Sequence, residues 1–308
     1  MTDFPRTMVG GVSVPRLIIG TNWFLGYSHT SPAKDKFIKE YQSRERMAAI
    51  LTVFLERGVD AVMAPLSPLL ESAIQQAEDQ VGRGMIRILT PSFNVAAGGP
   101  SDQEPEVVLD QTRELGATFC LPHQCVTDAL IDRMQHRIRD IEKYSRLIRE
   151  RGMIPGLSTH MPEAIVYADR TNADVETYIQ LYNAAGFLMQ VEADWVMQII
   201  QKAHKPVMTI KPLAAGRLLP VVGLSFVWNT IRDQDMVTIG TTTPDEAREV
   251  IDISLDLLSR RPPAVSCRQH AAKNRCCNVT WGKGMLECSR FSRARCGVPP
   301  DVRYAFPD

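Results

Sequence analysis

Apolar residues recur along this chain in short runs, each closed by polar or special residues and followed by a stretch with helical spacing. The runs Arg16–Thr21, Val59–Ala64, Ile86–Thr90, Thr118–Leu121, Ile154–Ser158, Val175–Leu181, Pro206–Ile210 and Met236–Ile239 read as strands. Between them, Arg44–Arg57, Leu69–Val81, Glu106–Leu115, Ala129–Arg151, Glu192–Ala203 and Gly223–Arg232 read as helices, and another starts at Met161-Pro162-Glu163. In Gly223–Arg232 the residues Leu224, Val227, Trp228 and Ile231 fall at i, i+3, i+4, i+7, which is one face of a helix. Thr243-Pro244-Asp245-Glu246 supplies a hydroxyl cap, a proline at the first helical position and acids in the first turn, a strong helix start. Two stretches, Asn22–Lys34 and the Gly/Pro-rich Ala96–Pro105, read as long loops.

Eight strand–helix units in roughly 250 residues match a (β/α)8 TIM barrel. A doubly wound sheet is the alternative, but no Gly-rich dinucleotide loop follows the first strand. In a barrel the active site lies at the C-terminal ends of the strands. The chemistry-bearing residues there are His123, His160 and Lys211, which suit acid–base or electrophilic roles. Lys211 also suits a Schiff-base nucleophile if the barrel top desolvates it. His29, His123 and His160 would hold a metal if they converged, but their separations match no ligand motif, so no metal is expected. Thr241, Thr242 and Thr243, at a strand end before a helix, make an anion site through free amides and the helix dipole. Trp23, Phe24 and Tyr27 either stack on a ligand ring or pack the first loop over the barrel.

Charge narrows the partners. Lys plus Arg and Asp plus Glu balance at 35 each, so no net field recommends a nucleic acid or an anionic membrane. No apolar run approaches the ~18–20 residues that span a bilayer. MTDFPRTMVGG has no basic and long apolar leader pattern, so a soluble, cytoplasmic protein acting on a small molecule is expected. Composition shifts near Arg260: Cys267, Cys276, Cys277, Cys288 and Cys296 crowd an Arg-rich segment without sustained period. Their spacing fits neither a ferredoxin-type cluster nor paired zinc-ribbon cysteines. Residues 1–262 are therefore expected to form the barrel, and 263–308 an irregular extension.

The order of GLSTHMPEAI after the fifth strand, IQLYN on the sixth, KPLAAGRL after the seventh and VTIGTTTPDEAREVI at the eighth resembles the aldo-keto reductase superfamily. It is closest to the branch carrying KPL-x-x-G after strand seven, often with a C-terminal iron–sulfur segment. RLIIGT and GVDAVMAPLSPLLESAI also align in outline, so the resemblance covers about Val14 to Ile253. It implies a barrel with NADPH extended across its top. Ser158, Thr159 and Gln180 stand at positions that resemble the carboxamide holders, and Thr241, Thr242 and Glu249 at those of the adenosine phosphate end. Gly240 and Val250 replace the basic residue and the asparagine usual there. Of the catalytic Asp, Tyr, Lys and His, only the histidine has a counterpart, His123; Met63 and Pro91 stand at the Asp and Lys positions. Carbonyl reduction needs an acid to protonate the forming alkoxide, and neither residue supplies or tunes one.

The expectation is an aldo-keto reductase-like barrel without the usual tetrad, a divergent NAD(P)-linked protein that binds a phosphorylated small molecule or a nicotinamide cofactor at the strand-eight end and uses His123, His160 and Lys211 in acid–base or electrophilic roles; a first competitor is a true oxidoreductase with His123 or Tyr182 as proton donor. The alternatives are a metal- or Schiff-base-dependent lyase or isomerase acting on a sugar phosphate, and a non-catalytic ligand-binding barrel.

Overall fold

Val9-Gly10-Gly11-Val12 places two glycines between alternating residues, and there the chain turns back on itself. Both glycines have positive φ, +52° and +82°, as a two-residue hairpin turn requires. A side chain at Gly10 would also put its β-carbon 2.9 Å from Ile154 Cγ2. This hairpin, β1 (Arg6–Val9) and β2 (Val12–Pro15), precedes the barrel and had no counterpart in the sequence reading. The computed structural model describes residues 3–95 and 102–261, with two short strands further on.

The chain divides into two compact units, Met1–Ala264 and Val265–Asp308. In the first, the order after the hairpin is β3 (Leu17–Gly20), α1 (Asn22–Leu25), α2 (Pro32–Tyr41), α3 (Arg44–Glu56), β4 (Ala61–Ala64), α4 (Pro68–Val81), β5 (Ile86–Leu89) and α5 (Pro105–Glu114). Then come β6 (Phe119–Cys120), α6 (Gln124–Thr127), the pair β7 (Ile131–Asp132) and β8 (Arg137–Ile138), and α7 (Ile141–Glu150). The last part holds β9 (Ile154–Pro155), β10 (Leu157–Thr159), α8 (Glu163–Thr171), β11 (Tyr178–Leu181), α9 (Ala193–Lys202), β12 (Val207–Ile210), α10 (Pro220–Thr230), β13 (Met236–Gly240) and α11 (Pro244–Leu258). In the second unit the described residues form one antiparallel pair, Trp281–Gly282 against Met285–Leu286. The cysteines Cys267 to Cys296, and what was expected of them, lie outside the described residues.

Nine parallel strands run in the order β10-β11-β12-β13-β3-β4-β5-β6-β9. The two ends of that list, β9 and β10, are halves of one segment separated by Gly156. Gly156 donates to Cys120 O, while Leu157 donates to Thr177 O. One chain segment therefore pairs leftward below Gly156 and rightward above it, which nearly closes the sheet into the expected (β/α)8 barrel. Only glycine fits the seam: a β-carbon there would lie 2.7 Å from Leu121 Cγ and 2.8 Å from Thr177 O.

Strand alternation sorts the core into two layers. Ile18, Ala61, Met63, Ile88, Phe119, Leu121, Ile179, Met208 and Met236 fill the lumen, closed below by Val9 and Val14 of the hairpin. Leu17, Ile19, Val62, Leu89, Leu157, Tyr178, Val207 and Val237 face outward and pack under the helices. Among the described residues, no helix is long and apolar enough to cross a membrane.

Two expectations about the segments between strands are corrected. The loop Asn22–Lys34 contains α1 and runs into α2, whose start is set by Ser31 accepting from Lys34 N with Pro32 at the first helical position. The long helix Ala129–Arg151 is instead a 3-10 turn (Asp128–Leu130), the β7–β8 hairpin and the shorter α7. Asp132 Oδ1 accepts from Met134 N and Gln135 N, and His136 and Asp140 adopt φ +51° and +56°. A side chain competing for backbone donors and two left-handed residues interrupt the helix.

Candidate active site

At the C-terminal ends of the strands the lumen face turns polar. Ser158 pairs in register with Ile179, and Thr238 with Ile18, both lumen residues, so Ser158 and Thr238 face the lumen too. Ser158 and Thr238 are each 5% exposed, and Thr238 Oγ1 has no hydrogen-bond partner. Lys211 follows β12 directly, His160 follows β10, His123 follows β6, and His29 lies between α1 and α2.

These four side chains form one basic cluster. Lys211 Nζ lies 3.0 Å from His29 Nε2, and His29 Nδ1 lies 2.8 Å from the carbonyl of Tyr27. A carbonyl only accepts, so Nδ1 carries the proton; Nε2 is then the acceptor, and Lys211 donates to it. Both residues are left-handed, Lys211 at φ +59° and His29 at φ +58°. Such a conformation costs a non-glycine residue about 1–2 kcal/mol. Two strained backbones thus hold one hydrogen bond in place.

The electrostatics follow from burial without counter-charge. Burial lowers the pKa of Lys211 to about 8, and among the described residues no ion pair holds it. His160 falls to about 4, through burial first and then the charges of Lys211, His123 and His29. His123 is lowered by burial and by Lys211. His29, though exposed by area, is lowered by partial desolvation first and Lys211 second. Near neutral pH the cluster is therefore a set of uncharged imidazoles around an amine that ionises close to working pH. His160 senses the charge of both other histidines, yet among the described residues no three His, Cys, Asp or Glu side chains are arranged to hold a metal ion.

His123 has a second relation that sequence reasoning missed. Its Nδ1 lies 3.0 Å from Cys125 Sγ and accepts from Cys125 N at 3.4 Å, while Ser92 Oγ lies 3.5 Å from the same sulfur. The signal was the spacing His-x-Cys directly after a strand.

The positions that resemble cofactor holders divide. Ser158 faces the lumen. Thr159 and Gln180 pair in register on the opposite face of their strands. Thr159 Oγ1 donates to Asp128 Oδ1 and accepts from Met161 N, and His160 N donates to Asp128 Oδ2, so this carboxylate ties the fifth strand's end to the turn after α6. Gln180 Nε2 donates to Leu181 O, and its buried Oε1 is unpartnered. Tyr182, a candidate proton donor, is fully buried in the outer layer with its hydroxyl on Thr230 Oγ1, and is removed from the lumen by that placement.

At the eighth strand's end the expected anion site is filled by the chain itself. Glu246 carboxylate accepts from Thr242 N at 2.6 Å and Thr242 Oγ1 at 2.7 Å, while Thr243 Oγ1 accepts from Glu246 N at 3.2 Å. This reciprocal cap uses the donors a phosphate would need and leaves a carboxylate in its place. Thr241 Oγ1 is buried and unpartnered, Glu249 is exposed, and Arg248, the nearby cation in sequence, is tied to Asp245.

No known family description matches the chain, and no curated protein matches it in sequence. Solved structures do match. A protein of Pseudomonas aeruginosa described as an aldo-keto reductase aligns with TM-score 0.58 at 15% identity, over 83% of this chain and 97% of its own. An aldo-keto reductase of Brucella melitensis aligns at 0.53 and 13%, over 82% and 93%. One of Klebsiella pneumoniae, solved in complex with NADPH, aligns at 0.50 and 17%, over 85% and 97%. The architecture is thus an aldo-keto reductase-like (β/α)8 barrel.

Proposed function

We propose that this barrel acts on a small carbonyl compound, with the Lys211 amine as the group that meets the carbonyl carbon. The Lys211–His29 pair at the mouth carries the reading: a half-buried lysine at a strand's C-terminal end, without a counter-ion and bonded to a neutral imidazole nitrogen. With a pKa of about 8, roughly a quarter of Lys211 is uncharged at about pH 7.5, against about one part in a thousand for an ordinary lysine. Only the uncharged amine has the lone pair that attacks.

In the reaction this supports, Lys211 Nζ adds to the carbonyl carbon and the C=O pair moves onto oxygen. His29 Nε2 takes a proton from the nitrogen and returns it to that oxygen, then carries the second nitrogen proton the same way, so that the oxygen departs as water as the neutral imine forms. His160, held neutral down to about pH 4, accepts hydrogen bonds at the same mouth without adding positive charge. Such an imine serves lyase or isomerase chemistry by drawing electrons from the neighbouring carbon.

The test is borohydride reduction in the presence of simple aldehydes and ketones, read by intact mass. A gain of the reduced adduct in wild type, absent in Lys211→Met, is expected. Adducts of equal yield in the variant, or none with any carbonyl tried, would sink the reading.

A nicotinamide-linked oxidoreductase is the second reading, favoured by the NADPH-bound Klebsiella neighbour of the same fold. Against it stand the lumen residue Met63, which is neither acid nor base, and the Glu246 carboxylate at the phosphate end. Millimolar NADPH that leaves tryptophan fluorescence unchanged would retire it.

A further inference from the structure

We propose that Cys125 is a second nucleophile at the barrel mouth, a thiol served by His123 as base, and that it selects aldehydes over ketones as the carbonyl substrate. The proposal rests on the carbonyl reading for its substrate class, but the thiol pair stands on its own geometry.

Cys125 Sγ and His123 Nδ1 are 3.0 Å apart. Nδ1 also accepts the Cys125 backbone N–H, which keeps that nitrogen unprotonated and oriented toward the residue it serves. Nucleophile and base within hydrogen-bond reach, with the base held by a further contact, is the arrangement that activates a thiol. Ser92 Oγ on the far side of the sulfur gives a thiolate one more donor. Cys125 is half-buried and free, whereas Cys120, fully buried, has its thiol pushed far up by burial. Of these two cysteines, burial removes Cys120 as a nucleophile and leaves Cys125 as the accessible thiol beside a base.

Placement joins the pair to the mouth. His123 feels the charge of Lys211, and His160 that of His123, so the thiol's base belongs to the cluster around the amine. Independently, Thr238 Oγ1 faces the lumen, is 5% exposed and has no protein partner. Thr238 pairs in register with Ile210, the residue before Lys211. A buried hydroxyl left unpaired beside the reacting lysine points to a small polar ligand in that space.

The step balances without any other reagent. Cys125 Sγ–H passes its proton to His123 Nδ1, and the sulfur bonds the carbonyl carbon. The C=O pair moves to oxygen, which takes that proton from His123, giving a hemithioacetal. Thiols add favourably to aldehydes and poorly to ketones, whose second carbon substituent crowds the adduct. The thiol therefore assigns the substrate class that the amine alone leaves open.

The experiment alkylates the full-length protein with iodoacetamide across pH and reads the Cys125 peptide by mass spectrometry. This resolves it from Cys120 and from the five cysteines beyond residue 266. Wild type is expected to label Cys125 at least about tenfold faster near neutral pH than His123→Asn, which retains an acceptor for the α6 cap. Equal rates, within about twofold, would overturn the dyad. Glycolaldehyde should protect Cys125 and dihydroxyacetone should not, in wild type and in Lys211→Met alike. Protection by both, by neither, or by aldehyde only while Lys211 is present would overturn the assignment. Absence of borohydride adducts together with aldehyde protection at Cys125 would remove Lys211 as nucleophile and leave the thiol standing.

Discussion

Replacing Lys211 by methionine is expected to stabilise the protein near neutral pH while abolishing imine formation. Burial moves the ammonium from 10.5 to about 8, and each pKa unit is worth about 1.4 kcal/mol. Holding the charge in the folded state therefore costs at most about 3.5 kcal/mol, and about 2 once water at the open mouth is allowed for. Methionine keeps the length of the chain but loses the bond to His29 Nε2, worth about 1 kcal/mol. The net gain is about 1 kcal/mol, or about 2–4 °C in Tm for a domain of this size. The sign of the pH dependence follows from linkage. Between the folded pKa and 10.5 the unfolded chain binds more protons, so wild-type stability rises as pH climbs through that window. Below about pH 8 the penalty is complete, and above 10.5 it is gone. Urea unfolding followed by tryptophan fluorescence, at about neutral pH and at steps through the window, reads both effects. A variant that loses stability at neutral pH, or keeps the wild-type rise between the two pKa values, would refute the reasoning.

Three further outcomes are expected. His160, depressed from 6.5 to about 4, makes the folded state lose stability as pH falls through that interval, up to about 3 kcal/mol, and His160→Asn should flatten this limb of the urea–pH profile. Gly156→Ala brings a β-carbon within 2.7 Å of Leu121 and 2.8 Å of a backbone oxygen at the seam, and should cost roughly 2–3 kcal/mol in urea, with the cost unrelieved by pH. Glu246→Gln removes the carboxylate from the head of α11 while keeping its length, and should raise affinity for inorganic phosphate at least about tenfold by calorimetry; unchanged affinity would show that the cap does not exclude the anion.

The barrel strands were legible because most of their residues are buried, so each reads as a short, largely apolar run bounded by punctuation. Ile86–Leu89 and Met236–Gly240 lie within a residue of where the sequence put them. The misread segments are those in which local polar contacts replaced periodicity. Pro32–Tyr41 is a helix in which half the residues are charged and whose start is marked by Ser31 and Pro32 alone. In 129–151 the charges at helical spacing concealed Asp132, whose carboxylate organises a turn. The same distinction divides the site. Lys211, His123 and His160 were singled out because polar residues at strand ends mark a barrel mouth. The pairing of Lys211 with His29, also a candidate, was not foreseen, since the two are 182 positions apart in sequence. Nor was the fate of the threonines: a sequence shows donors at a helix start but not that Glu246 has already taken them.

The barrel and its mouth obey different rules. In the body of the fold, buried charge is compensated: Arg87 is held by Glu71 and Glu78, and Asp235 by Arg232. At the mouth, Lys211 and three histidines are packed without an acid against Lys211, and two of the residues take left-handed backbones to keep their contact. Compensation there would have been structurally simple, since a carboxylate in place of lumen residue Met63 would face the same space. It would also have raised the lysine's pKa and consumed the lone pair that carbonyl addition needs. The eighth strand's end went the other way, where a carboxylate closes a ready anion site. An amine with no counter-ion among the described residues, set beside neutral imidazoles, is what the proposed carbonyl reading requires of the mouth.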